Sequence, residues 1–440
     1  MSRRLGLDMQ GGAHHHSSGS LSNLEDRART RTLGLPIDAT YGGQRMKDRD
    51  IVLIGGRRTA IGRFGGALKD LSAVEIGVVA VRATLEATGV EASQVDEFIF
   101  GHARQAGNGP NPARLVAIRA GLPPECPAFT VQQACVSSLK ALILAAQAIK
   151  LGEADLIVTG GTEHMSSIPY LSPDTRWGTR MGDARLLDAM YRDGFIDPLT
   201  GKHMGELTED LAERRGITRQ AQDEYALMTQ RRTEEARRSG FHGRMIAPVE
   251  LPQKKGQPVL FHEDEHPRPD TSMEKLAALP TVFRPNGTIT AGNASGITDG
   301  AVALVVASRQ RARELGLPVA ARIRSWATAS VPPADFGLAP VPATRKALER
   351  AGLDLRDVGV VEINEAFAAQ VLAVMQDLDL EVDRVNLRGG AIALGHPVGM
   401  SGARIVLSLV NTMHELGCAL GLATICGNGG NGGTVILELD

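Results

Sequence analysis

Four side chains suited to acyl-transfer or proton-transfer chemistry stand at separate points of the 440-residue chain. His396 is the only imidazole in Gly389–Arg404, a stretch of glycines and small residues through which backbone can approach a ligand closely. Cys135 precedes an Ala/Leu-rich stretch, Cys426 precedes a glycine cluster, and Asn364 follows a short apolar segment. Two thiols, an imidazole and an amide are groups that covalent catalysis at a carbonyl requires.

Three of these residues also have an ordinary structural explanation. Cys135 lies at the predicted start of a helix over residues 137–151, where the helix dipole and free N–H groups should lower the thiol pKa and favour the thiolate. A small buried hydrophobic residue is the alternative for a free cysteine. A hydrogen-bonded histidine in a buried turn is the alternative for His396, and a helix N-cap is the alternative for Asn364.

The glycine cluster after Cys426 formally matches the dinucleotide fingerprint G-x-G-x-x-G over residues 427–432. That fingerprint must open a helix, whereas the residues that follow predict a strand over 434–439. We therefore interpret the glycines as a way to let backbone N–H groups come close to a reacting oxygen beside the thiol, as an oxyanion hole requires.

Composition excludes several classes of function. Lys and Arg number 48 against 50 Asp and Glu, and aromatic residues are 4% of the chain, so neither charge nor stacking surface favours nucleic acid. The four cysteines form no CxxC pair and are too few for a disulfide scaffold, which favours reduced thiols and a cytoplasmic protein. We interpret Cys126 and Cys418 as structural. No uninterrupted apolar run approaches the roughly 20 residues that span a bilayer, so we expect no membrane association.

Strands and helices alternate along most of the chain, which predicts an α/β fold. Residues 1–45 differ, because His14–His16 run into a serine-rich stretch, and we expect a disordered or tag-derived extension there. The expected parts of the rest are a first α/β segment at 46–165 that continues over about 295–318, a charged and loop-rich insertion at 166–294, and a second α/β segment at 319–440. Cys135 and Cys426 each stand beside a turn of one segment, which suggests an internal duplication.

Taken in order, four blocks resemble the thiolase family. They are Cys135 at a helix start, the Asn-Glu-Ala-Phe-Ala run Asn364–Ala368, the highly specific block Gly389–Arg404, and Cys426 before its glycines. Three supporting stretches resemble the family as well, namely Arg58–Gly66, Asp264–Asp270 and Thr290–Gly296. The resemblance covers about residues 46–440.

This resemblance implies a fold and a set of roles. The fold would be two duplicated βαβαβαββ halves in a five-layered α/β/α/β/α core, with an inserted loop domain that binds coenzyme A. Cys135 would be the acylated nucleophile, His396 the base that activates it, and Cys426 the second acid and base at the α-carbon. Asn364 and His396 would hold an oxyanion-hole water, and Asn428 stands where a glycine N–H usually serves the hole. Acyl-CoA thioesters would be substrates, with no metal or other cofactor.

His203 and Met204 resemble the His-Met-Gly run of biosynthetic acetoacetyl-CoA thiolases, in which the methionine narrows the acyl pocket. This favours acetyl-CoA condensation over long-chain substrates. Ser295 and Arg268 match positions near the pantetheine and the nucleotide phosphates, and Phe367 is a further expected substrate contact. The resemblance also implies a homotetramer or homodimer. A degradative thiolase of broader chain length and a non-catalytic acyl-CoA-binding protein are the alternatives.

At two positions the chain departs from the family pattern. Ser138 replaces a glycine in the first turn after the nucleophile and could crowd it. Asn428 replaces a glycine after Cys426, where positive φ, which Asn tolerates better than most residues, would preserve the hole.

Overall fold

The computed structural model describes residues 40–41, 44–45, 49–254 and 256–440. The chain divides into two units, residues 1–45 and 46–440. In the first unit Thr40–Tyr41 and Gln44–Arg45 pair as antiparallel strands. The other residues of the predicted extension, His14–His16 included, lie outside the described part of the chain. The main α/β elements lie in the second unit, residues 46–440.

Strands and helices alternate in the first half of this unit. Its main elements are β1 (Ile51–Thr59), α1 (Ala73–Thr88), β2 (Glu97–Gly101), α2 (Pro112–Ala120), β3 (Ala128–Val131), α3 (Ser137–Leu151), β4 (Leu156–His164) and β5 (Thr298–Ser308). Local chemistry fixes their ends: Ser72 and Glu75 form a capping box before α1, and Gly89 ends that helix with φ 71°, which costs a glycine nothing. The predicted helix over 137–151 is confirmed.

An equivalent series of elements forms the second half. Its main elements are β6 (Ala321–Ser330), α6 (Pro340–Ala351), β7 (Val360–Ile363), α7 (Ala368–Leu378), α8 (Ser401–Leu416), β8 (Leu420–Gly427) and β9 (Asn431–Glu438). An isolated bridge between Val361 and Val385 occupies the place that β3 has beside β2. The two halves therefore share the order strand, helix, strand, helix, extended segment, helix, strand, strand.

Strand order makes the duplication explicit. The hydrogen-bonded sequence is β7-β8-β9-β6-β1-β5-β4-β2-β3, so the order β1-β5-β4-β2 of the first half repeats as β6-β9-β8-β7 in the second. The predicted duplication is thus present, although the two cysteines that suggested it do not occupy equivalent places. Cys135 precedes α3, whose counterpart is α8, whereas Cys426 ends β8, whose counterpart is β4.

Five layers pack together through three clusters of buried side chains, one under each outer pair of helices and one around the central helices. Helices α1 and α2 pack on the outer face of the first sheet, α3 and α8 fill the space between the two sheets, and α6 and α7 cover the second sheet. The predicted five-layered core is confirmed. Residues 134–151, which include α3, are long and apolar enough to cross a membrane by length and composition. Their place between two sheets accounts for this, since a helix covered on both sides needs few polar residues.

The insertion between β4 and β5 carries two long helices, α4 (Met204–Arg215) and α5 (Arg219–Arg238). A buried ion pair attaches its loop at residues 264–270 to the core. Nη1 and Nη2 of Arg58 donate to the two carboxylate oxygens of Asp264, each at 2.7 Å. The Ile61 N–H also donates to Asp264 at 2.9 Å. The structure thus brings two stretches of the sequence pattern, Arg58–Gly66 and Asp264–Asp270, into contact.

Candidate active site

The two central helices meet at their N-terminal ends, and this contact is the base of the site. The Ala403 N–H of α8 donates to the Ser138 hydroxyl of α3 at 2.9 Å. A Cβ atom on Gly402 would lie 2.6 Å from the Leu139 nitrogen, so only glycine permits this approach. Ser138, which could have crowded the first turn, instead bonds the two helices together. Cys135 and His396, which precede these helices, are brought to the same place.

Cys135 lies partly buried on a strained turn, because Ala134 before it has φ 48°. Its neighbours are apolar and include Ala103, Met165, Met190 and Val398. The backbone N–H groups of Asn428 and of Cys135 itself reach the sulfur. These groups and Arg104 lower the thiol pKa, but burial outweighs them and raises it. The expectation of a lowered pKa is therefore wrong: the resting group is a neutral thiol.

Two hydrogen bonds fix the orientation and tautomer of His396. The Ser401 hydroxyl donates to the Pro397 carbonyl at 2.9 Å, so it accepts from Nδ1–H of His396 at 2.6 Å. Nε2 then carries the lone pair, and Asn364 Nδ2 lies 3.5 Å from it. Burial, followed by the charges of Arg404 and Arg104, lowers the pKa of His396 to about 3. His396 is consequently a neutral acceptor at physiological pH.

The buried carboxylate of Glu163 fixes the loop that carries His396. Glu163, fully buried at the end of β4, accepts from the N–H groups of Gly399 at 2.8 Å and Ala103 at 3.2 Å. Gly395, just before the imidazole, has φ 96° and packs directly on the Thr298 side chain. Glu163 therefore aligns the loop of His396 with the apolar side of the Cys135 pocket. No feature of the sequence pattern singled it out.

Asn364 directly follows β7 and is fully buried. Its backbone N–H donates to Thr424 at 3.0 Å, and α7 is capped by Phe367, so the N-cap alternative is wrong. Oδ1 of Asn364 is buried and accepts no hydrogen bond from a described residue, which leaves it available to a water or substrate group.

The neighbouring Glu365 fixes this segment. Its carboxylate accepts hydrogen bonds from the insertion and from the His396 block, through Tyr225 at 2.9 Å, Thr229 at 3.0 Å, Asn386 at 2.9 Å and the Ile392 N–H at 3.0 Å. The second residue of the Asn-Glu-Ala-Phe-Ala run is therefore a structural brace.

Cys426 ends β8 and is 1% exposed, in a cluster with Met204, Leu207, Phe336 and Ala366, against which Phe367 packs. Burial, and then the charge of Cys135, raise its pKa. The two thiols are thus close enough to interact electrostatically. Phe336 lies in an irregular turn between β6 and α6, and sequence reasoning missed it because no periodicity marks that turn.

Asn428 keeps its N–H at the Cys135 sulfur without the expected backbone change. It does not have positive φ, whereas Gly429 after it has φ 76°. The expectation of positive φ at Asn428 is therefore wrong. Gly429 adopts the positive φ of the turn, so position 428 can carry a side chain without backbone strain.

The predicted coenzyme contacts fall in two places. Ser295 is half-buried and donates its N–H to the Ala366 carbonyl at 3.0 Å, and Ala366 belongs to the Cys426 cluster. Met204 belongs to the Cys426 cluster. His203 caps α4 by accepting the Gly205 N–H at 3.0 Å, and its ring stacks on Phe283 at 4.7 Å.

Arg268 lies farther out, exposed on the 264–270 loop. It lines a cleft of about 240 Å³ together with Lys275, Leu279 and Ala291. Asp270 also lines the cleft and pairs with Lys275 at 2.5 Å. Arg268 is therefore the cationic group there that is placed to contact a phosphorylated ligand. Within residues 49–254 and 256–440 no three His, Cys, Asp or Glu side chains converge as metal ligands would.

The pKa directions predict how Cys135 responds to pH. With the thiol pKa raised and the His396 pKa lowered, alkylation of Cys135 by iodoacetamide should rise about tenfold per pH unit from about pH 6 to 8.5. The measurement is the alkylation rate of the Cys135 peptide by mass spectrometry. A plateau across that range would contradict the neutral pair, because a thiolate–imidazolium pair is already ionised there.

Comparison with known proteins gives consistent results along almost the whole second unit. The family model for the thiolase N-terminal domain matches residues 51–310, and the model for the thiolase C-terminal domain matches residues 317–439. The acetyl-CoA acetyltransferase of Pseudomonas aeruginosa is 48% identical over 392 residues, which are 89% of this chain and 100% of that protein. The acetyl-CoA acetyltransferase of Cupriavidus necator is 46% identical over 88% of this chain and 99% of its own length.

Solved structures agree. The crystal structure of the Bacillus anthracis acetyl-CoA acetyltransferase has a TM-score of 0.86 at 41% identity, covering 89% of this chain and 98% of that one. The human mitochondrial 3-ketoacyl-CoA thiolase in complex with CoA has a TM-score of 0.86 at 38% identity, with the same two coverages. Family models, sequence relatives and fold together show that this chain belongs to the thiolase family.

Proposed function

We propose that the protein is an acyltransferase that condenses two molecules of acetyl-CoA reversibly to acetoacetyl-CoA and CoA. The observation that carries the proposal is the pairing of two interacting thiols, Cys135 and Cys426, with a neutral imidazole whose Nε2 is free to accept a proton. The names of the relatives from Pseudomonas aeruginosa and Cupriavidus necator support acetyl-CoA as the substrate.

In the first half-reaction the Cys135 thiol gives its proton to His396 Nε2 while the sulfur attacks the thioester carbonyl. The N–H groups that reach the sulfur, from Cys135 and Asn428, are placed to receive negative charge that develops beside it. The carbon–sulfur bond to CoA then breaks, and the CoA sulfur takes the proton from His396. Acetyl-Cys135 and free CoA result. Because a thioester replaces a thioester, the step is nearly balanced in energy and runs in both directions.

In the second half-reaction Cys426, as thiolate, removes an α-proton from a second acetyl-CoA. The α-carbon forms a carbon–carbon bond to the acetyl carbonyl on Cys135, and the Cys135 sulfur leaves with its electron pair. That sulfur takes the proton that Cys426 removed, so Cys135 returns to the thiol and Cys426 to the thiolate. A water that accepts from Asn364 Nδ2 and donates to the neutral His396 Nε2 would have its second proton free for the carbonyl oxygen of the enolate. The raised pKa of Cys426 makes its thiolate a strong base, which the weakly acidic α-carbon requires.

Chain length gives the test of this proposal and of its nearest alternative. Met204 and Phe336 close the cluster around Cys426, so thiolysis of acetoacetyl-CoA should exceed that of a 3-ketoacyl-CoA with eight or more carbons by about 100-fold in kcat/KM. Met204→Ala should reduce that preference by about tenfold. The assay is CoA-dependent loss of the 3-ketoacyl thioester at several chain lengths.

The outcomes separate three functions. Equal rates at all chain lengths would favour the degradative thiolase of broader range. Absence of turnover with every chain length, while CoA thioesters still bind, would favour the non-catalytic acyl-CoA-binding protein. Coexistence of Cys135, His396 and Cys426 opposes that last function, because binding alone requires none of them.

A homotetramer or homodimer in the cytoplasm is part of the proposal and follows from the family resemblance. Light scattering coupled to size-exclusion chromatography measures the assembly directly.

A further inference from the structure

Two side chains from different halves of the fold bond to neighbouring carbonyls of one turn. Arg104, which follows β2, donates from Nη1 to the Asp193 carbonyl at 2.8 Å. Asn428, which follows Cys426, donates from Nδ2 to the Gly194 carbonyl at 2.9 Å. The turn, Tyr191–Phe195, belongs to the insertion. Gly194 lies so close to the Arg104 guanidinium that any Cβ would collide with it.

A second bond ties the same turn region to the glycine cluster. Asp197 is fully buried, and its carboxylate accepts the Gly429 N–H at 3.2 Å. The same carboxylate accepts the Leu199 N–H at 2.8 Å and the Thr200 N–H at 2.9 Å, so its position is fixed. Residues 428–429 are therefore fastened to the insertion through a side chain and through backbone.

Arg104 also has an unusual electrostatic position. Arg104 is only 8% exposed, and it makes no ion pair with a carboxylate in the described part of the chain. Its Nε is buried and lacks a hydrogen-bond partner among the described residues. Its backbone N–H donates to Glu163 at 3.1 Å, the same carboxylate that holds the His396 loop. A buried cation thus lies beside the nucleophile, and the Glu163 carboxylate opposes it there, since its charge raises the pKa of Cys135.

We propose that Arg104 and Asn428 form a clamp on residues 193–194 that holds the Asn428 N–H at the Cys135 sulfur, and that the Arg104 charge favours the anion formed there. The inference rests on the proposed function and adds two positioning residues to it. A usual glycine at 428 would supply the N–H but not the bond to Gly194. The Asn428 side chain, which departs from the family pattern, therefore restricts the turn and fixes the position of the Asn428 N–H donor.

The Arg104 charge affects the pKa of both groups that exchange the proton, the Cys135 thiol and the His396 imidazole. It lowers the pKa of Cys135 against the larger effect of burial, and it lowers the pKa of His396. A buried positive charge of this kind favours a thiolate over a thiol and a neutral over a protonated imidazole.

The first test uses charge and its matched control. Arg104→Met should slow alkylation of Cys135 by iodoacetamide at pH 8 about tenfold, since removal of a nearby opposite charge raises the thiol pKa. Arg104→Lys should recover part of that rate. Arg192→Met removes a more exposed charge from the same turn and should leave the alkylation rate unchanged. Peptide mass spectrometry of Cys135 gives all four rates, including that of the unsubstituted protein.

The second test asks whether the two residues act as one device. Arg104→Met and Asn428→Gly should each reduce single-turnover acetylation of Cys135 by acetyl-CoA about tenfold, with CoA affinity unchanged within about twofold. Because both hold one turn, the double variant should be no more than about threefold slower than the slower single variant. Asn428→Gly removes no core packing and tests the clamp even if Arg104→Met does not fold.

Two results would overturn the clamp. One is an unchanged alkylation rate in folded Arg104→Met or, where that variant does not fold, unchanged acetylation in Asn428→Gly. The other is a double variant whose loss equals the product of the two single losses. Failure of the proposed function looks different: acetyl-CoA would not acetylate Cys135 even in the unsubstituted protein, whereas alkylation would still report the effect of Arg104.

Discussion

Cys135→Ala is expected to lower both condensation and thiolysis by about 10⁴-fold or more, whereas Cys426→Ala should stop condensation and still let acetyl-CoA label Cys135. The structure places the two thiols in different surroundings, which supports this division. Cys135 is partly buried and has two backbone N–H groups at its sulfur. Cys426 is buried in the cluster that contains Met204 and Phe336, where a substrate methyl group would lie.

The measurement is mass spectrometry of the Cys135 peptide after incubation with acetyl-CoA, beside the rate of acetoacetyl-CoA formation. Cys426→Ser is the matched control, because it keeps the size of the side chain but has a hydroxyl too weakly acidic to act as the base. It should resemble Cys426→Ala in both assays. Equal loss of Cys135 labelling in the Cys135 and Cys426 variants would refute the division of roles.

His396→Ala is expected to reduce the rate of Cys135 acetylation by about 10²–10⁴-fold while CoA still binds, since the variant loses the general base. The sign of the pH dependence follows from the cited shifts. His396, with a pKa of about 3, is neutral at every pH above about 5, so the unsubstituted protein should show no acid limb from it there. The variant must begin from the thiolate instead, and its rate should rise about tenfold per pH unit up to the raised thiol pKa.

Ser401→Ala provides the control for orientation. It removes the partner of Nδ1 at 2.6 Å but leaves the ring, so acetylation should fall about tenfold and keep the pH profile of the unsubstituted protein. Acetylation rates of Cys135, measured in quenched reactions between about pH 6 and 9, distinguish the two variants. A His396→Ala rate that does not depend on pH would show that the imidazole is not the proton acceptor.

Much of the local structure was predictable because it depends on neighbours in sequence. The helix over 137–151 follows from its Ala/Leu periodicity and the glycine after it, and the helix over 401–416 likewise. The charged helix Arg219–Arg238 of the insertion likewise depends on local signals, since the Thr218 side chain caps its start. In contrast, β6 (Ala321–Ser330) was not predicted, since it has polar residues at several positions and is stabilised by pairing with distant strands.

The site divides in the same way. Residue types and motif order were enough to single out Cys135, His396, Cys426 and Asn364, because such motifs are local in sequence. Their electrostatics were not, since burial by residues far along the chain decides a pKa. Cys135 shows this most clearly: its predicted place at a helix start is confirmed, yet its pKa moves opposite to the expectation because apolar neighbours from several segments remove water from the sulfur.

Residue type, order and spacing were enough to indicate the family and to single out the two thiols and the imidazole, and the family resemblance in turn implied the five-layered fold. Only the tertiary structure decided which helices are equivalent, how the N-terminal ends of α3 and α8 meet, and which side chains brace the site. Glu163, Glu365, Phe336 and Arg104 entered the site through contacts across 20 or more residues. No local pattern encodes such contacts, because they form only when the duplicated halves pack together.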